Sequence, residues 1–281
     1  MKLYQACSLI ILLSLTATSP AIAKLAKTGC NDTCGNVTIP YPFGIGEECS
    51  INQWYVIDCN SFTPYLRALN NLVVLNVSLR DRTATVSTPR ITDCQNPVLN
   101  SSEMMGVDLD TSPFFFSNLN HNKFVFEGCG TAVLMNGGSV VTGCSTSCRN
   151  DTPSDTNNCF GITCCETAIP DPLKSYSINL TGLVENGACG SAFLVDRTSY
   201  DQGRFNVTNT SSPNIPISLR WILADSDQAT CCNNETPNKY KVRLYNGTLM
   251  DTWRCLFYTT SLEENPYLTD GCSGMYFSIS Y

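Results

Sequence analysis

Histidine is almost absent from this chain: His121 is the sole imidazole among 281 residues. Any Ser-His or Cys-His mechanism has to run through it, because such nucleophiles need an adjacent base. It sits in Asn118-Leu119-Asn120-His121-Asn122, a polar stretch that reads as an exposed loop. The Gly-x-Ser-x-Gly elbow is missing, and Gly137-Gly138 lacks the lysine that completes a phosphate-cradling loop. Acidic pairs occur at Glu47-Glu48, Asp225/Asp227 and Glu263-Glu264, yet nothing marks one of them as the flanking pair that glycoside hydrolysis requires. The expectation is a non-enzyme without a cofactor. Cations are scarce too: 17 Lys plus Arg face 24 Asp plus Glu, a net charge of −7. That balance argues against nucleic acid and anionic membrane surfaces as partners. Past the N-terminus no apolar run reaches the roughly 18 residues of a membrane span, and Tyr281 carries no lipidation signal.

What is present points outside the cell. Lys2, the apolar run Ala6–Leu15 and the small-x-small triplet Ala21-Ile22-Ala23 form a secretory leader over residues 1–23. The mature chain then starts at Lys24, keeps 258 residues and has a net charge of −8, Lys2 having been lost. Removing the leader also removes Cys7, so 17 cysteines become an even 16. These are Cys30, Cys34, Cys49, Cys59, Cys94, Cys129, Cys144, Cys148, Cys159, Cys164, Cys165, Cys189, Cys231, Cys232, Cys255 and Cys272. With one histidine available, structural disulfides are expected rather than zinc. The vicinal pairs Cys164-Cys165 and Cys231-Cys232 are expected to send each member to a different partner, since a vicinal bond strains the peptide between them. Ten Asn-x-Ser/Thr sequons agree with an extracellular route: Asn31, Asn36, Asn76, Asn100, Asn150, Asn179, Asn206, Asn209, Asn234 and Asn246.

No long helical period stands out. Short β-rich runs separated by turn residues predict strands at Gln53–Asp58, Leu72–Leu79, Thr83–Ser87, Lys123–Glu127, Thr131–Met135, Ser175–Leu180, Ser191–Val195, Ile217–Leu223 and Tyr240–Tyr245. Leu75, Val77 and Leu79 alternate with polar residues, and Ala84 and Val86 continue on the opposite parity. The parity flip predicts a hairpin turning at Arg80-Asp81-Arg82, with Asn76 outward. The fold class is therefore mainly β and disulfide-rich. Polar, cysteine-free Asn206–Pro216 reads as a linker between a unit at 24–205 and a smaller cysteine-containing unit at 217–281, with even cysteine counts of twelve and four on the two sides.

Several segments carry a resemblance. Cys34–Ile45 reads CGNVTIPYPFGI; Ser112–Gly130 contains SPFFFS and NKFVFEGCG; Gly143–Cys148 precedes GITCCETAIP; Cys189–Asp196 reads CGSAFLVD. Together these resemble the extracellular region of plant wall-associated receptor-like kinases, specifically their galacturonan-binding domain. The tail, with Trp253-Arg254-Cys255 and ENPYLTDGC, resembles a degenerate epidermal-growth-factor-like module with four cysteines in place of six. Family members are anchored in the plasma membrane. This chain stops at Tyr281, before the membrane helix and kinase of such receptors, so kinase activity is not expected. The resemblance implies a pectic polysaccharide as partner in the cell wall. The alternative is a soluble ectodomain acting on other receptor ectodomains as decoy or co-receptor, or a truncated receptor.

A net-negative protein needs a local basic face or bridging calcium to hold a polyanion. Lys239, Lys241 and Arg243 alternate along one strand face, and Arg80 and Arg82 flank the hairpin turn. These five are the candidate polysaccharide contacts, because arginine pairs a carboxylate bidentately. Tyr41, Trp54 and Tyr55 are weighed as sugar-stacking rings against a core role.

Overall fold

The computed structural model describes residues 25–89, 92–93, 103–105, 108–109, 111–118, 120–148, 159–181, 190–201, 214–227, 230–232, 235–257 and 264–272. The expected leader, Cys94, Cys189, the sequons Asn100, Asn150, Asn206, Asn209 and Asn234, and residues 206–213 of the expected linker lie outside this set.

The chain forms β1 (Thr33–Cys34), β2 (Val37–Thr38), β3 (Gly44–Ile45), β4 (Val56–Asn60), β5 (Thr63–Leu66), β6 (Leu72–Ser78) and β7 (Thr83–Pro89). It continues through β8 (Thr92–Asp93), β9 (Glu103–Met105), β10 (Phe114–Phe116), β11 (Asn122–Glu127), β12 (Gly130–Asn136) and β13 (Ser139–Thr146). Then come β14 (Cys164–Ala168), β15 (Ser177–Thr181), β16 (Gly190–Asp196), the short helix α1 (Arg197–Asp201), β17 (Asn214–Trp221), β18 (Asn238–Arg243) and β19 (Leu249–Arg254). A seven-stranded sheet runs β10-β17-β7-β6-β5-β4-β3; two four-stranded sheets run β14-β11-β16-β8 and β13-β12-β15-β9. Pairs β1–β2 and β18–β19 are separate ribbons. The expected mainly β, disulfide-rich class is what forms.

The hairpin expected at 80–82 is present as β6–β7, and Asn76 is exposed. Its alternation is not regular, however. Val74 pairs Val86 while Asn76 pairs Thr85, so Leu75 is an extra residue, and it stands 44% exposed while Val74 is buried. A bulge of this kind moves an apolar side chain to the opposite face. Residues 53–55, expected as strand, form a 3-10 turn because the Asn52 side chain accepts a hydrogen bond from the Trp54 amide at 2.8 Å. Strand β10 was not foreseen. Its three phenylalanines are all buried, Phe114 and Phe116 in the main core and Phe115 under the β18–β19 ribbon, so burial on both faces erases the period of two.

The Pro-Tyr-Pro-Phe-Gly turn has a packing explanation. Phe43 is fully buried, and a Cβ on Gly44 would stand 2.1 Å from the Cys49 carbonyl carbon. Seven disulfides join described cysteines: Cys30–Cys49, Cys34–Cys59, Cys129–Cys148, Cys144–Cys165, Cys159–Cys164, Cys231–Cys255 and Cys232–Cys272. Each vicinal cysteine does take its own partner. Cys164 and Cys165 are neighbours on a strand and point to opposite faces, so they enter two different clusters.

The expected separation of 217–281 from the rest does not hold at the core. β17 lies between β10 and β7 in the seven-stranded sheet, and Asn214–Pro216 of the expected linker are already part of it. Trp221 packs edge-on against Phe43, Tyr55 and Tyr267 at 5.9, 6.2 and 5.6 Å. Asn265 donates to the carbonyls of Leu25 at 2.6 Å and Tyr41 at 2.8 Å, closing the C-terminal segment onto the N-terminal one. Even cysteine counts allow two closed units, but here they staple loops of one shared core. Tyr41 and Tyr55 are buried in that core, which removes them as sugar-stacking rings, whereas Trp54 packs on it and stays partly exposed. An aromatic there buries more apolar area than a surface position offers.

Candidate functional site

Cations inside apolar strands are unusual and need partners. Lys123, 8% exposed, has them: Glu166 at 2.8 Å and Asp201 at 2.7 Å. Lys174 donates to the carbonyls of Leu109, Ser112 and Phe114. A third group does not follow this pattern.

Arg220 lies on β17 opposite Thr83 of β7 and Phe115 of β10. Arg82 ends the preceding turn at φ 56°, where its carbonyl accepts the Trp221 amide at 2.9 Å. The β18–β19 ribbon lays Tyr240, Val242, Leu244 and Met250 against Phe115 and Ile222. Tyr240 pairs with Thr252, and Arg254 is two residues further along the same face. The Tyr240 ring thus meets Arg82 at 5.0 Å and Arg254 at 5.5 Å, and Arg220 meets the Phe115 ring at 5.9 Å. Such contacts favour a cation, but they do not neutralise three of them.

Among the described residues none of Arg82, Arg220 and Arg254 forms an ion pair. Arg82 Nη1, Arg220 Nε, Arg254 Nε and the Tyr240 hydroxyl are buried with no hydrogen-bond partner. Burial chiefly, then Arg220, pushes the Arg82 pKa down to about 10; Tyr267 opposes this, and Arg254 adds the smallest push. It stays charged at neutral pH. A buried donor left unsatisfied costs about 1–3 kcal/mol, and here several sit together beside like charges. A carboxylate placed among them would supply both acceptors and countercharge.

The five cations expected from sequence separate into different places. Arg82 enters the cluster. Arg80 stacks on Phe257 at 5.8 Å. Lys239, Lys241 and Arg243 share the exposed side of β18, opposite Tyr240, where Lys239 pairs Asp225 at 3.0 Å and Lys241 pairs Asp251 at 3.3 Å. Arg220 and Arg254 escaped sequence reading. Their signal was available as single cations within ISLRWIL and DTWRC. Of the acidic pairs, Glu47 holds Arg67 at 2.7 Å, Asp225 holds Lys239, and Asp227 accepts from Asn52 at 2.8 Å and from the Ala224 amide at 2.7 Å, while Glu263 lies outside the described residues.

His121 is half-buried rather than exposed, because its backbone closes onto Asn118 and Arg197. Burial, chiefly, and Arg220 lower its pKa below the ordinary 6.5, while Asp81 and Asp196 oppose them. As pH falls through 6.5 the unfolded chain takes up this proton before the folded one. Stability is therefore full above 6.5, falls as pH drops toward the lowered folded value, and levels off below it. His121→Gln is expected to flatten that slope in denaturant titrations between pH 7 and 5. An unaltered slope would refute the assignment.

Residues 30–88 match the family model described as wall-associated receptor kinase galacturonan-binding. This segment spans β1 to β7 and supplies Arg82. The chain is related to the wall-associated receptor kinases. It is 33% identical to wall-associated receptor kinase-like 4 of Arabidopsis thaliana over 70% of its own length and 29% of the relative's. With wall-associated receptor kinase-like 10 the identity is 30%, over 95% of this chain and 41% of the relative. With wall-associated receptor kinase-like 6 it is 29%, over 88% and 44%. The chain thus spans less than half the length of these relatives. No solved structure matches it. The relationship makes it an extracellular-type wall-associated domain, and no described helix is long and apolar enough to cross a membrane.

Proposed function

We propose that this chain is a secreted, non-catalytic module that binds the galacturonic acid polymer of plant cell walls. The observation that carries the proposal is the Arg82–Arg220–Arg254 cluster, three guanidiniums without a carboxylate partner among the described residues of an acidic protein. The net charge repels a polyanion at a distance, but beyond about 10 Å at 0.1 M salt that repulsion is screened. Close in, a half-buried arginine forms two parallel bonds to one carboxylate. Galacturonan bears a carboxylate on each unesterified ring, which fits repeated arginine contacts and makes methyl esterification a direct antagonist.

The test is retention on pectate against fully methyl-esterified pectin across a salt series. Retention on pectate alone, weakening with salt and surviving EDTA, supports direct ion pairing. Loss in EDTA assigns binding to bridging calcium instead, and equal retention on both polymers overturns the reading. The β18 face contributes modestly under this proposal. Its lysines already hold carboxylates in exposed pairs worth about 0–1 kcal/mol. Changing Lys239, Lys241 and Arg243 together to Gln is expected to weaken pectate retention no more than about threefold. A complete loss would move the site to that face.

A further inference from the structure

The largest uncovered ring in the segment matched by the family model is Phe62, 84% exposed. Its position is enforced by the backbone. Asn60 pairs Thr63, leaving Ser61 and Phe62 as a two-residue turn with φ of 49° and 62°. Such turns favour Asn-Gly, since the left-handed region is unfavourable for bulky side chains. A phenylalanine that is both strained and exposed has no folding rationale of its own.

Its neighbour supplies one. The β1–β2 ribbon turns at Gly35-Asn36, and the Cys34–Cys59 disulfide fixes that turn beside the β4–β5 turn. The approach is so close that a Cβ on Gly35 would stand 2.1 Å from the Phe62 carbonyl oxygen and 3.4 Å from the Phe62 Cβ. Asn36 follows immediately, is exposed, and heads the sequon Asn36-Val37-Thr38 with Thr38 also exposed. Its Cα therefore lies within about 9 Å of the Phe62 Cβ, one side chain plus one sugar ring away. Asn31, Asn76 and Asn246 are exposed too, whereas Asn179 is half-buried with its Oδ1 enclosed and unpartnered.

We infer that Asn36 carries an N-linked glycan whose first N-acetylglucosamine covers the face of Phe62. The donor is a lipid-diphosphate-linked oligosaccharide of the secretory route. Asn36 Nδ2 bonds to its anomeric carbon, the bond from that carbon to the diphosphate breaks, the lipid diphosphate leaves, and the amide gives up one proton. Apolar C–H groups of the sugar then shield the ring from water, as aromatic packing favours. The inference requires passage through the secretory route but not galacturonan binding.

The test uses the full chain expressed in a glycosylating host. Glycopeptide mass mapping is expected to find Asn36 occupied, and an unmodified Asn36 overturns the inference. Phe62→Ala is expected to lower the melting temperature by about 2–4 °C in the glycosylated protein. In a Thr38→Ala background, which keeps Asn36 but removes its glycan, the same change is expected to shift it by less than about 1 °C. Endoglycosidase release from Asn36 should also become several-fold faster in Phe62→Ala. Equal melting shifts in both backgrounds with unaltered release overturn the stacking. So does a Phe62→Ala protein of unaltered melting temperature that loses pectate retention, since the ring would then face the polysaccharide.

Discussion

Arg254→Gln is expected to lower affinity for a de-esterified oligogalacturonide about tenfold, and the Arg220→Gln, Arg254→Gln double variant about a hundredfold. Hydrogen bonds to charged groups are worth about 1.5–3 kcal/mol, and 1.4 kcal/mol is a factor of ten. Calorimetric titration with the oligosaccharide measures this directly. The free protein should respond in the opposite sense. Arg254 stands beside Arg82, whose own charge it disfavours, so its removal relieves repulsion and leaves the melting temperature unaltered or slightly higher. A purely structural stack on Tyr240 predicts the reverse: lower stability with affinity intact. That result would sink the site. The dependence of affinity on salt should flatten as well, because fewer counter-charges are exchanged. Arg82 is a poorer probe, being only 7% exposed and part of the turn that closes the β6–β7 hairpin.

Trp221→Ala is expected to cost about 3–5 kcal/mol, the range for removing a large buried aromatic. The indole is 1% exposed and contacts rings from three distant parts of the chain, Phe43, Tyr55 and Tyr267. If the C-terminal segment shares its core with the N-terminal sheet, the variant melts in one transition, displaced as a whole. Scanning calorimetry distinguishes this from the alternative. Two transitions, with only one displaced by the substitution, would restore the linker at 206–216 as a boundary between independent units.

Much of the architecture was legible. Alternation located the β6–β7 hairpin, because one-residue shifts expose an entire apolar set and evolution has to respect the parity. Buried runs such as Ser191–Val195 stood out by composition, and the strand there extends one residue further at each end. The vicinal cysteines announced their split partners through peptide geometry. The bulge at Leu75 was not legible, since an extra residue in one strand shows only when its partner strand is known. Nor was the place of β17. Polar residues and prolines before it look like a linker, but the strand that follows pairs with β7, more than a hundred residues earlier.

The candidate site shows the same division. By itself the sequence determined the chemistry available: an acidic chain, seventeen cysteines, one histidine and few cations. Composition and local pattern suffice for that, because charge, redox partnership and side-chain parity are properties of short segments. Only the tertiary structure decided which cations act together. Lys239, Lys241 and Arg243 are neighbours along the chain, and two of them are matched by nearby carboxylates. Arg82, Arg220 and Arg254 are far apart along the chain, yet the β7–β17 ladder and the ribbon folded over it bring them around Phe115 and Tyr240. Electrostatic interaction depends on distance through space and on burial, and neither can be read from spacing along the chain.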